Sequence, residues 1–170
     1  MAGVEIRLLA PPDAAAYRAL RLRALREHPD AFTSSHDEDE RLPLSTSAER
    51  LASSRITFWG AFLRSELCGM VGLERETRAK NRHKATVVAM YVAPEAAGHG
   101  IGASLLAALI AECRAEGIES LVLTVTDGND KPRALYEKAG FRSFGVEPRA
   151  IKVGGTAYAK NHMHLDLSHS

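Results

Sequence analysis

Val92-Ala93-Pro94-Glu95-Ala96-Ala97-Gly98-His99-Gly100-Ile101-Gly102-Ala103-Ser104 is the most informative stretch of this chain. Pro94 has no N–H to give a ladder, so a strand running into Val92 must stop there. Gly98, Gly100 and Gly102 strip side chains from the following turn. Beyond them Ile101, Leu105, Leu106, Leu109, Ile110 and Cys113 recur at helical spacing, and Gly117 closes the helix. Bare N–H groups at the head of a helix, where the peptide dipoles sum to partial positive charge, bind phosphate or pyrophosphate. A glycine turn with no ligand is the competing reading.

Outward from this stretch the pattern is one of alternating strands and helices. Ala85–Val92 reads as the strand entering the loop. Leu121–Val125, apolar and β-branched almost throughout, reads as a strand covered on both faces. Asp127-Gly128 turns into a short helix, Lys131–Ala139, closed by Gly140. Phe141–Val153 and Thr156–Leu167 flank Gly154-Gly155, a two-residue hairpin signal. Upstream, Val4–Leu9 reads as a strand, and a helix opened by Pro12 and Asp13 reaches about Arg26, with Tyr17, Leu20 and Ala24 on one face. Arg18, Arg21, Arg23 and Arg26 spread around it as a solvated surface would. His28–Leu44 is polar and acidic and reads as a loop, followed by a short helix near Ser45–Ser53. Thr57–Leu63 and Leu67–Glu76 form a hairpin around Arg64-Ser65-Glu66. A mixed α/β sheet follows.

Composition narrows the classes. The 170 residues suit one domain, and a net charge of +1 gives no global case for nucleic acid, membrane or polyanionic partners. Cys68 and Cys113 have neither the number nor the spacing of a disulfide framework or zinc site. No leader pattern or membrane-length apolar run is seen, so a cytoplasmic protein is expected.

Three ligand readings of the glycine loop compete. A P-loop needs Lys-Ser or Lys-Thr after its last glycine, and Ala103-Ser104 stands there instead. A dinucleotide fingerprint is formally met by Gly98, Gly100 and Ala103, but the loop lies in mid-chain and Asp127 comes too late to be the ribose-binding acid. The third reading is a family resemblance. Gly100 and Gly102 match the Arg/Gln-x-x-Gly-x-Gly/Ala loop of the GNAT (Gcn5-related N-acetyltransferase) superfamily, with Ala97 replacing the leading Arg/Gln. Asn129-Asp-Lys-Pro-Arg-Ala-Leu-Tyr136-Glu-Lys-Ala-Gly140-Phe141 resembles that family's Asn-x-x-Ala-x-x-Leu-Tyr-x-Lys-x-Gly-Phe signature, with Pro132 at the usual Ala position. The likeness is strong from Ala85 to Phe141.

The resemblance implies one GNAT domain over residues 1–170, with a central mixed sheet of six to seven strands flanked by about four helices. It implies acetyl-CoA as cosubstrate, its pantetheine arm along Met90-Tyr91-Val92 and its pyrophosphate on Gly98, His99, Gly100, Ile101, Gly102 and Ala103. Asn129 resembles the family's side-chain contact to the cofactor arm, although an asparagine there also caps a helix. Tyr136 is the candidate general acid, since a phenol of ordinary pKa about 10 stays protonated at neutral pH. Glu74, with Glu76 on the same strand face, is the tentative base. The acceptor is a small-molecule or peptide amine attacked directly in a ternary complex. A non-catalytic acyl-CoA sensor is the alternative, and the fold allows a homodimer through the C-terminal strands.

Weaker features have bland readings beside them. The acidic run Asp37–Glu40 either attracts a cationic amine or is a solvated loop. His162 and His164 share a strand face but lack a third ligand, so no metal is expected. Glu147 and Tyr158 are further acceptor-site candidates, and Lys160 and Asn161 stand where many proteins of the resembled family carry acids.

Overall fold

The computed structural model describes residues 3–168, which form a sheet that parts at its centre. In chain order the elements are β1 (Val4–Leu8), α1 (Ala14–Glu27), α2 (His36–Glu40), α3 (Leu44–Ala52), β2 (Ile56–Leu63) and β3 (Glu66–Arg75). β4 (Lys84–Val92), α4 (Ile101–Glu116), β5 (Ser120–Thr126), α5 (Asp130–Lys138), β6 (Arg142–Val153) and β7 (Thr156–Asp166) follow. The seven strands lie in the order β1-β2-β3-β4-β5-β7-β6, all neighbours antiparallel except β4 and β5.

The parallel pair is short. β4 and β5 are in register only from Lys84/Ser120 to Thr86/Val122, after which no pairing joins them. A bulge on β4 between Val88 and Tyr91 opposes three steps of β4 to two of β3, and Ala89 there takes φ 58°. A non-glycine residue in the left-handed region costs roughly 1–2 kcal/mol, so the surrounding packing holds this kink in place. The kink turns the last residues of β4 away from β5.

Helices cover both faces. Ile101 and Leu105 of α4 lie against β3 at Gly69, where an added Cβ would come within 2.9 Å of Ile101. On the opposite face Tyr17 of α1 tilts onto Phe58 of β2, ring centroids 5.0 Å apart. Tyr17, Leu20 and Ala24 are buried together, as their spacing predicts. The Arg64-Ser65 turn of the first hairpin has both residues at positive φ, the geometry of a two-residue hairpin turn.

Four expectations change. The stretch read as a loop from His28 to Leu44 contains α2, whose Ser35 N-cap oxygen accepts from the Glu38 N–H at 3.1 Å. Its acidic run is not wholly solvated, because Asp39 is buried and ion-paired to Arg21 and Arg50. For the same reason Arg21 is not a solvated surface residue. Finally, β5 is fully covered on one face only: Leu121, Leu123 and Val125 are buried, whereas on the other Val122 is half-buried, Thr124 exposed and only Thr126 buried. The apolar run misled because a strand beside a cleft carries the same β-branched residues as one inside a core.

Candidate active site

Where β4 and β5 part, a cleft of about 1330 Å³ opens, bordered by Met90, Tyr91 and Val92 on one strand and Val122 to Thr126 on the other. From Val87 to Val92 the edge of β4 that faces β5 has no strand partner among the described residues. An extended arm laid there finds main-chain donors and acceptors, as an added strand would. Tyr91 contributes through its backbone alone, because its ring is buried and its hydroxyl donates to Glu27 at 2.6 Å. Arg23 in turn holds Glu27 and Glu95, clamping the end of β4 to α1.

The glycine loop lies next to this cleft. Gly98 and Gly100 have φ of 87° and 68°, and a Cβ at either would point into open space. The first hydrogen bond of α4 runs from the Ser104 N–H to Gly100 O at 3.0 Å. Among the described residues, the N–H groups from Gly98 to Ala103 have no protein partner. That leaves a run of donors at a helix head, suited to a pyrophosphate. Ile101 turns its side chain into the core and offers only its N–H. His99 is tied through Nδ1 to Ala96 O at 3.0 Å. Gly102 sits against Leu135, a cleft residue, with 3.1 Å between a built Cβ and the nearest leucine carbon.

Asn129 and Tyr136 border the same cleft from the start and the last turn of α5. Asn129 occupies the N-cap position but makes no side-chain capping bond. The Tyr136 ring packs edge-on to Phe141 at 5.8 Å and is 6% exposed. Burial alone holds its phenol above the ordinary tyrosine range, and its hydroxyl has no hydrogen-bond partner among the described residues. It therefore stays protonated throughout the neutral range.

At the other end the cleft is bounded by α1, α3, β2, β3 and the α1–α2 connection, through Tyr17, Arg21, Phe32, Arg50, Ile56 and Glu74. Thr126 Oγ1 donates to Asp30 O at 2.5 Å, and Lys160 donates to Thr33 at 3.1 Å, pinning the connection across the cleft. Glu74 lies 3.6 Å from Arg55, and Glu76 falls just past the end of β3. Burial lowers the Lys160 ammonium below its usual value. Among the C-terminal candidates, Lys160 and His162 border the cleft, whereas Glu147 sits behind them, opposite Lys160 in the β6–β7 register and 2.9 Å from His162. His164 bonds Ser120 at 2.7 Å instead of sharing a ligand with His162. Tyr17, Arg21 and Arg50 were not singled out as a site by sequence. No local pattern brings two helices, a loop and a C-terminal strand together.

A mixed sheet parted at a parallel pair, beside a glycine loop that heads a helix, is the architecture of coenzyme A-dependent acyltransferases. The model described as the acetyltransferase (GNAT) family matches residues 21–141, and the chain belongs to that family. An L-methionine sulfoximine/L-methionine sulfone acetyltransferase of Pseudomonas aeruginosa is 32% identical over 78 residues, covering 46% of this chain and 45% of that protein. The match thus spans less than half the length of this curated relative. A GNAT-family acetyltransferase of Streptococcus pneumoniae is 25% identical with a TM-score of 0.81, over 96% of this chain and 99% of that one. A phosphinothricin acetyltransferase of Sinorhizobium meliloti in complex with acetyl-CoA reaches a TM-score of 0.84 at 18% identity, over 96% and 88%. That identity bears on the fold alone. Acetyltransferases of this family use acetyl-CoA, and the unpartnered loop donors, open glycine positions and free β4 edge fit that cosubstrate. No helix among the described residues is long and apolar enough to cross a membrane.

Proposed function

We propose that the protein transfers the acetyl group of acetyl-CoA to a primary amine by direct attack within a ternary complex. The observation that carries this reading is the single cleft, which runs from Tyr136 and Asn129 through the parted strands to Glu74 and Arg50. Both substrates can meet there without an enzyme-bound acetyl group. Neither cysteine suits a covalent route, since both are buried and burial raises both thiols, Cys113 to about 12.

The chemistry follows from the side chains. Gly98 to Ala103 hold the pyrophosphate, and the β4 edge at Met90 to Val92 aligns the pantetheine arm. A main-chain N–H at Val92 polarises the thioester carbonyl. The neutral amine attacks that carbonyl, so a C–N bond forms and the C–S bond breaks. The Tyr136 hydroxyl gives its proton to the departing sulfur, and the phenolate is reprotonated from water. The amine's own surplus proton leaves to Glu74 or to water in the cleft. The methionine sulfoximine acetyltransferase relative supports a small amine as acceptor over a protein.

Thiol release from acetyl-CoA, followed across a panel of amines and amino acids, tests the assignment. Amine-dependent release is expected. Tight acetyl-CoA binding with no release for any acceptor would mark a binding module instead.

A further inference from the structure

Arg21 and Arg50 converge on one carboxylate oxygen. Arg21 Nε donates to Asp39 Oδ2, and Arg50 Nη1 reaches the same oxygen at 3.4 Å. The side chains are 13% and 28% exposed, and that of Asp39 is 8% exposed. One buried carboxylate thus faces two largely shielded guanidinium groups, and one positive charge is left over within the cluster. Both Nη atoms of Arg21, and Nε and Nη2 of Arg50, have no protein partner among the described residues. Both arginines border the cleft.

A second observation lies one helical turn away. Tyr17, four residues before Arg21 on α1, borders the cleft with its side chain wholly buried. Its hydroxyl is the buried side-chain polar atom without a hydrogen-bond partner among the described residues. Leaving a buried hydroxyl unpaired costs about 1–3 kcal/mol, and such a group is usually accounted for by a ligand or a water.

We infer that Arg21, Arg50 and Tyr17 form the docking point for a carboxylate carried by the acceptor, so that the substrate is a free amino acid and not a simple amine. This rests on the acetyltransferase reading and deepens it. Guanidinium forks match a carboxylate in two-point geometry, and Asp39 fixes their orientation from behind. The cleft also holds the opposite charge a zwitterion needs, because Asp30 and Glu74 border it as well. Lys160 lies on the far wall, while Asp130 and Lys131 balance each other at the α5 end. An amino acid with its carboxylate at the arginines directs its amine inward, towards the parted strands where the thioester is held.

Matched pairs of acceptors test this: phenylalanine against phenethylamine, leucine against isoamylamine, methionine against its decarboxylated amine. Thiol release gives kcat/KM for each, and calorimetric titration into CoA-saturated protein gives affinity whether or not turnover occurs. The expected result is a preference of about tenfold or more for at least one acid over its decarboxylated partner, since charged hydrogen bonds are lost with the carboxylate. Arg50→Gln should collapse that ratio, and Arg50→Lys should restore part of it. Arg50 makes only the long bond to Asp39, and a melting curve checks that the variant is folded. Equal or better use and binding of the decarboxylated amines would overturn the inference, as would an Arg50→Gln variant that lowers both members of each pair equally. In that case the arginines serve only to join α1, α2 and α3. If no acceptor releases thiol, the acetyltransferase reading fails separately, and the binding ratios still decide whether a carboxylate docks here.

Discussion

Tyr136 carries the most chemistry of any single residue in this account. Its phenol is held up by burial, with no charged neighbour responsible. The sign of the effect is therefore simple: the neutral form is favoured, and proton loss is postponed to pH above the ordinary tyrosine value. The alkaline limb of a pH–rate profile for thiol release should therefore not begin to descend near neutrality on account of this residue. Tyr136→Phe keeps the ring's contact with Phe141 and removes only the proton. It should lower kcat by about 10²-fold or more, the usual worth of a positioned general acid, while acetyl-CoA affinity changes little. Parallel steady-state kinetics and direct titration of acetyl-CoA separate the two effects. An unchanged kcat would leave the leaving thiolate to be protonated by water. The sequence alone showed Tyr136 as a resemblance to a family motif. What it could not show is that the hydroxyl lacks a partner among the described residues while the ring is buried, because that depends on Phe141 and on the parting of two strands.

At the scale of elements, the proposed mechanism has the head of α4 and the edge of β4 hold the cosubstrate. Gly100 stands at the N-cap with φ 68°, where any other residue is strained and would lean over the unpartnered N–H groups. Gly100→Val should weaken acetyl-CoA binding by more than about tenfold, with a loss of stability of roughly 1–2 kcal/mol from the left-handed backbone. Titration of acetyl-CoA and a denaturant melt measure the two separately. Unaltered affinity would move the pyrophosphate away from this loop. The strands and helices from β4 to β7 were legible because glycines, Pro94 and apolar spacing mark their ends locally. α2 was not, since its five residues show no apolar period and it depends on Ser35 and on the Asp39 ion pairs, which are tertiary facts. The splay of β4 from β5 was equally hidden. It depends on the left-handed Ala89, and no residue preference announces a left-handed alanine.

For the whole molecule, charge pairs tie the layers together, and one of them gives a pH dependence. Arg75 at the end of β3 grips Glu116 at the end of α4 at 2.8 and 2.6 Å. This holds the Glu116 carboxyl down to about 2. A depressed acid contributes stability that is present above its unfolded pKa, about 4.3, and is lost as pH falls towards 2. Glu116→Gln should therefore destabilise the protein at pH 7 and flatten the acid side of its stability curve, as read by urea melts at several pH values. The same fold brings α1, α3, β3 and β7 around one cleft, and that convergence, invisible in any local stretch of sequence, makes the end proposed for the acceptor. The most direct test of direct transfer is the initial-velocity pattern of thiol release with acetyl-CoA and an accepted amine both varied. Intersecting double-reciprocal lines are predicted, since both substrates must occupy the cleft before the acetyl group moves. Parallel lines, the mark of an acetylated enzyme formed before the amine arrives, would contradict the account.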